Sequence, residues 1–514
     1  MCYRPKLIEF RQNLYNNYIP YRRDAVFNLL DSLSSYAHRC KSVVELCEAT
    51  CFTREYPSVT DAITTGLESI DSGNISQEIF RAVDESHDRV ITALDCTPEV
   101  RKNAKCLEDS HIVYAPNPAP GNKPIERGHH YSAISFMPQD PETKAEHWAV
   151  PMSIERCPSN QKSHEMGMKQ LRDLIKMLSL KDRLIINVAD SSYATMICRQ
   201  IALESANLVH ISRLNSTRNV FAQVDDESQS SGRNKRYGNK MQLNDESSHL
   251  PHETSITKTI KTASGKIRHL KIKTWNDMLL RGSRDFKSYE HPITLIQVII
   301  ADEAEKTVNK KPLWLALTGT RQQEVTSEEA YEYYASRFDI EHFFRFGKTK
   351  LLMDGYQTPE TDHEEYWWRF IPLAYTQLYL ARKLSSLLPK RWERYLKSYK
   401  KGERKSFVAS PSQVQRYFSV ILADIGTPAG LPKQRGNPQG RSVGETQKRR
   451  PNYKLVYKTS KRKELDQSNI CESEKTRKNS ACPKMDVLAK SVLTQLKNVG
   501  ENPSRFYQRL QNGQ

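Results

Sequence analysis

The chain has 514 residues, room for two or three domains with a sizeable core, and carries a formal net charge of +18 with a pI near 9.3. No apolar run is long enough to span a bilayer, no signal-peptide pattern opens the chain, and its ten cysteines are scattered. These features set aside a membrane protein and a disulfide-stapled secreted domain, and predict a reduced, cytosolic protein with an excess of charge suited to phosphate-rich partners.

In chain order, residues 1–85 read as a helical domain. Candidate helices are 21–33, 41–47 and 60–67, with Ser58 and Asp61 as a capping box for the last. No residue here has a base-reading signature, so a plain three-helix packing module is one reading. Residues 86–224 read as the first part of an α/β core. The run Val90-Ile91-Thr92-Ala93-Leu94 is a strand ending in Asp95, with Pro98 expected to stop it. Residues 130–136 and 147–154 are further strands, 163–178 an amphipathic helix, and 207–214 another strand. Between them Leu184-Ile185-Ile186-Asn187-Val188-Ala189 runs into Asp190. Continuous apolar runs suit strands covered on both faces, and acids just past their carboxyl ends lie where open α/β sheets place ligands. Either aspartate alone reads equally well as a turn residue or a helix N-cap.

Residues 225–325 read as a β-rich insertion that opens with a polar, mobile loop over 225–251. Strands are expected at 255–260, 266–275, 293–301 and 312–318. Residues 326–425 return to the core with helices, among them an apolar one at 366–388 that covers the sheet. Residues 426–514 form a basic, largely disordered tail: from Leu431 to Gln514 there are 19 Lys and Arg against 7 Asp and Glu. Such a tail can neutralise phosphates or simply be solvated.

The stretch 334–348, YASRFDIEHFFRFGK, carries the most chemistry. As one helix at about 100° per residue, it sets Tyr334, Arg337, Glu341, Arg345 and Lys348 on a stripe roughly 80° wide. Ala335, Ile340, Phe343 and Phe346 fall on the other side. One carboxylate among three cations and a phenol suits a metal ion with phosphate beside it, because the acid holds the ion while Arg and Lys hold phosphate oxygens. A solvated face with pairs such as Arg337 and Glu341 is the alternative.

Tyr334, two residues, Arg337, three residues, Glu341, six residues, Lys348: this spacing resembles the Tyr-Arg-Glu-Lys signature of a family of bacterial insertion-sequence transposases. Those are DDE enzymes of the cut-and-paste type, similar in fold to ribonuclease H. The resemblance implies an α/β, ribonuclease H-like mixed sheet with the insertion placed before its last helix. Asp95, Asp190 and Glu341 would be the catalytic acids and would hold two Mg²⁺ ions, with Mn²⁺ a substitute. Arg337 and Lys348 would clamp phosphates and Tyr334 the backbone, with Arg345 in a lesser role. Trp314 in the insertion would stack on a flipped base, an ordinary core tryptophan being the alternative and Trp275 the fallback. The partners implied are double-stranded DNA, as transposon terminal inverted repeats and target, and a second copy of the chain in a homodimer. The N-terminal helices would read the repeats, and the protein would sit on the nucleoid through DNA. The activity implied is cleavage of transposon ends followed by joining of the freed 3′-hydroxyl to target DNA. A non-catalytic DNA-binding derivative and a ribonuclease H-like nuclease without strand transfer are the rivals.

Three other signals are set aside. Gly347-Lys348-Thr349 ends like a P-loop, but His342 stands where that motif needs glycine. His363-Glu364-Glu365-Tyr366-Trp367 lacks the second histidine of a zinc protease. His38, Cys40, Cys47 and Cys51 match no usual zinc-finger spacing.

Overall fold

Two parallel strands, β1 (Arg89–Val100) and β5 (Leu184–Ala189), lie side by side in the middle of a ten-stranded mixed sheet. A computed structural model describes residues 3–457 except 85–87, 116–122, 141–145, 181, 225–235, 262–264, 309–310, 390–394, 396–407, 434–439, 441 and 447–448. Residues 1–456 form one compact unit, and the remainder is described only at Tyr457, so most of the basic tail lies outside the described residues.

On one side of β1 the antiparallel strand β3 (Ile125–Phe136) follows, its far edge shared by β2 (His111–Tyr114) and β4 (Val150–Cys157). On the other side, the helix α5 (Ser163–Met177) leads from β4 into β5, which pairs in parallel with β6 (Leu208–Leu214) through the crossover helix α6 (Met196–Leu203). Three antiparallel strands followed by two parallel ones give the ribonuclease H-like arrangement expected. Every residue of β5 is buried, as a central strand covered on both faces must be.

The insertion does not stand apart from this sheet. Beyond a small hairpin of β7 (Asn219–Phe221) and β8 (Lys240–Gln242), its strands β9 (Thr254–Lys261), β10 (Ile267–Met278), β11 (Ile293–Ala301) and β12 (Leu313–Thr318) follow. They continue the sheet, with β12 antiparallel to β6. The loop expected over 225–251 is described from 236 onward, and there it contains β8, whose Met241 is fully buried.

The proline expected to end the first strand sits inside it. β5 pairs β1 only as far as Leu94, while β3 pairs it on to Val100. Past Leu94 one edge of β1 has no strand partner among the described residues, and there a residue without an N–H costs no ladder bond. β3 closes on this half because Gly128 has no Cβ: one placed there would lie 1.9 Å from the Glu99 carbonyl oxygen.

The N-terminal segment is helical but not set apart. Its helices α1 (Tyr3–Asn13), α2 (Arg23–Ser35), α3 (Pro57–Asp61) and α4 (Ser72–Val83) share one apolar core with the sheet. Buried Arg11 pairs with Asp31 at 2.5 Å and donates to Gln377 at 2.8 Å, which ties α1 and α2 to the later helix α9 (Thr361–Leu380). The expected capping box at Ser58 is absent, because Pro57 occupies N1 and places Ser58 inside the helix. Residues 41–47 hold a 3₁₀ stretch, Val43–Glu48, rather than an α-helix. The apolar helix expected at 366–388 starts earlier and breaks at Ala381 into α9 and α10 (Arg382–Leu387). Last comes α11 (Pro411–Ile425), beyond which Tyr453 and Val456 dock their N–H groups on the Lys105 and Ser110 carbonyls.

The stretch 334–348 is two helices. α7 (Ser327–Ser336) opens on a true capping box, Thr326 with Glu329, and α8 (Phe338–Lys350) follows. They meet at Arg337, where the backbone bonds tighten to i→i−3 on either side. The break turns Tyr334 inward to 6% exposure, while Ile340, Phe343 and Phe346 face the core as expected.

Candidate active site

Register brings the two aspartates together. Leu94 is opposite Ala189 in the parallel ladder, so Asp95, inside β1, and Asp190, just past the end of β5, lie at the same level, about 4.8 Å apart along the hydrogen-bonding direction. Asp190 caps a 3₁₀ turn, accepting from the N–H of Ser192 at 2.9 Å and its hydroxyl at 2.6 Å. Asp95 accepts from the Cys96 N–H at 2.8 Å.

The third acid arrives through Arg337. Its guanidinium donates to Asp95 Oδ2 at 3.2 Å and to Glu341 Oε1 at 2.7 Å, so one cation spans two acids from opposite ends of the core. Burial pushes the Asp95 carboxyl up to about 6, Asp190 and Glu341 push the same way, and Arg337 with the Cys96 N–H oppose them. Asp95 therefore lies close enough to the other two acids to feel their charge. Its side chain is 20% exposed and that of Glu341 43%, so the group opens to solvent on the Glu341 side.

The remaining expected residues divide. Tyr334 packs beside Arg337, and burial raises its phenol while Arg337 and Arg213 oppose and Asp190 adds to the rise. Lys348 turns inward, its Nζ donating to the Pro98 carbonyl at 2.6 Å on the unpaired edge of β1. Burial lowers the Lys348 amine, and Asp354 and Glu99 oppose that shift. Arg345 is exposed on α8. Arg213, a cation that sequence reading passed over, follows Ser212, whose register partner is Ala189, and is exposed at the level of Asp190. A lone charged residue in an otherwise buried strand, at the level of Asp190, is the signal that could have found it: Arg213 is the one exposed residue of β6.

Trp314 does not join the group. It is 1% exposed on β12 between two paired strands, in a second core with Trp275, Met241 and Leu295. The two indoles lie 5.6 Å apart, and the fallback Trp275 is 3% exposed with its Nε1 donating to the Leu250 carbonyl. Neither presents a face to a base, so both are corrected to core residues. Burial on both faces of a strand sheet, which their own sequence segments could not show, decides this.

The acid group offers hard oxygen donors and one shared cation, a set that fits Mg²⁺ or Mn²⁺ and not a soft ion. Among the described residues no helix is long and apolar enough to cross a membrane. A family model described as DDE superfamily endonuclease matches residues 14–280, just over half of the chain. The match takes in Asp95 and Asp190 and stops before Glu341. No curated protein matches the chain.

Proposed function

The chain belongs to the DDE superfamily of endonucleases, and from that premise we propose that it is a DNA transposase acting through Asp95, Asp190 and Glu341. The observation that carries this reading is the Arg337 bridge between Asp95 and Glu341, with Asp190 in register beside Asp95. Three carboxylates with one guanidinium among them are short of positive charge, and this adds to the burial that pushes the Asp95 carboxyl up to about 6. Asp95, Asp190 and Glu341 are the residues to hold two divalent ions, which when bound supply activation of water and stabilisation of a leaving 3′-oxygen.

The protein's own groups do the rest. Asp190 is held in orientation by Ser192, and Arg337 keeps Asp95 and Glu341 within reach of one another. Exposed Arg213 and Arg345 flank the acids and are the groups to take phosphate oxygens on either side of the cut. Lys348 fixes α8 against β1 through Pro98, a positioning role in place of the phosphate clamp first expected. We assign the N-terminal helices to recognition of the element's ends and the basic residues after 431 to sequence-independent phosphate contact.

The test uses the DNA flanking the gene, searched for inverted repeats. Asp95→Asn, Asp190→Asn and Glu341→Gln should each lower Mg²⁺-dependent cleavage of such ends by orders of magnitude and leave DNA binding in place. A variant that still cuts near the wild-type rate removes that residue from the site. Pre-cut ends carrying a 3′-hydroxyl should be joined to a target plasmid. Cleavage without joined products would make the protein a nuclease lacking strand transfer.

A further inference from the structure

The helix that carries Glu341 also carries a second kind of ligand set. Asp339 and His342 are three residues apart on α8 and so share a face. Facing them is His147, just ahead of β4, in a segment first expected to be strand and instead turned out by a left-handed residue at φ 57°. His147 Nδ1 lies 2.7 Å from Asp339 Oδ1, and the His147 and His342 rings stack with centroids 4.5 Å apart and planes 24° apart. One donor atom from each of the three lies within 4.8 Å of the others, and among the described residues no other His, Cys, Asp and Glu group of three or more meets that condition.

We propose that His147, Asp339 and His342 bind a divalent transition-metal ion of the zinc type, and that this ion clamps the segment ahead of β4 to the helix bearing Glu341. Two imidazoles and one carboxylate are the donor set zinc takes when it keeps a fourth position for water. The acid site offers oxygen donors alone, so ligand softness sorts two classes of ion between the two sites. Access and rigidity are both provided. The His147 side chain is 57% exposed and opens a path to the ion, while that of Asp339 is 7% exposed and is fixed by its surroundings. A non-glycine residue in the left-handed region persists only where its neighbours hold it, and here the holding contact is the imidazole's bond to Asp339. An ion would take the place of the proton in that bond and add His342 to it. Because Asp339 and His342 straddle Glu341 in sequence, loading this site stiffens the turn of α8 that presents the third acid.

The test separates the two sites by their ligands. Full-length protein, stripped with a chelator, is titrated with Co²⁺ as a spectroscopic probe, then with Zn²⁺ in competition. The same titrations are run on the triple variant Asp95→Asn, Asp190→Asn, Glu341→Gln. In millimolar Mg²⁺, which fills the acid site and should not displace the probe, one equivalent should bind to both proteins with the same affinity and the visible absorption of a four- or five-coordinate nitrogen-ligated ion. His342→Gln and His147→Asn should each weaken binding by more than about 100-fold, the upper end of what loss of even an outer-shell partner costs. Asparagine tolerates the left-handed backbone at 147, and equal melting temperatures without metal show that both variants fold. Zn²⁺ should raise the melting temperature of the wild type and not that of His342→Gln. No binding, binding that survives both histidine variants, or binding lost with the three acids would overturn the proposal.

Discussion

Asp95 and Glu99 stand four residues apart on one strand and therefore on one face of it, yet they live in different chemistry. Asp95 lies where β5 ends, its side chain one-fifth exposed, with two further acids near it and a single guanidinium shared between it and Glu341. Glu99 lies where β3 closes over the strand. It is 1% exposed, Oε2 has no hydrogen-bond partner among the described residues, and burial with nearby Glu364 and Asp354 pushes its carboxyl up to about 9. Beside it Glu364 on α9 is fully engaged: Arg101 pairs with it, Tyr131 donates its hydroxyl at 2.8 Å, and His129 Nδ1 lies 2.7 Å away. A carboxylate that already has its partners is part of the scaffold. One that shares a single cation with another acid, and faces water, has coordination left for a ligand.

That contrast breaks most sharply at Glu364. Glu364→Gln leaves the Arg101 charge buried without its partner and should cost about 3–5 kcal/mol in urea unfolding, whereas Glu341→Gln removes a partly exposed acid, leaves Arg337 paired with Asp95, and should cost no more than about 1 kcal/mol. Equal losses for the two would mean that the acid group is as structural as the buried one. A loss of similar size is expected at the second core. Trp314→Ala should cost about 3–5 kcal/mol, lower the melting temperature, and slow first-strand nicking and any later strand cleavage alike. Loss confined to the later step, with melting unchanged, would return Trp314 to the site.

Over the pH range from 6 to 8, a smaller effect concerns Glu99 and its proton. With an ordinary value of 4.5 and a folded value of about 9, the folded protein keeps a proton that the unfolded chain gives up between those pH values. The unfolded state binds fewer protons there, so the stability supplied by the neutral acid is full below pH 4.5 and is lost as pH rises through 9, at up to about 1.4 kcal/mol per pH unit. Glu99→Gln keeps the neutral shape and removes the titration. Urea midpoints measured from pH 6 to 8 should therefore fall less steeply in Glu99→Gln than in the wild type, and identical slopes would show that Glu99 is ionised in the folded protein.

Much of the sheet was legible because its information is local. The run from Leu184 to Ala189 is apolar but for Asn187 and is the strand seen, and residues 293–301 match β11 end to end. Ile340, Phe343 and Phe346 mark the buried face of α8 by helical spacing alone. The acids could be named as residues that end such strands and ride such a helix. What their own segments could not contain was pairing. Pro98 inside β1 is permitted by an edge that β5 leaves free, and Trp314 is sealed between β11 and β6, the latter about a hundred residues away in the chain. The insertion joins the core sheet through β12 and β6, and Arg337 breaks a helix so that Tyr334 turns inward and the guanidinium reaches Asp95. His147 meets Asp339 and His342 across nearly two hundred residues for the same reason. Periodicity and residue chemistry are properties of a segment and are written in the sequence; register, burial and the company a charge keeps depend on which segments meet, and only the folded chain decides that.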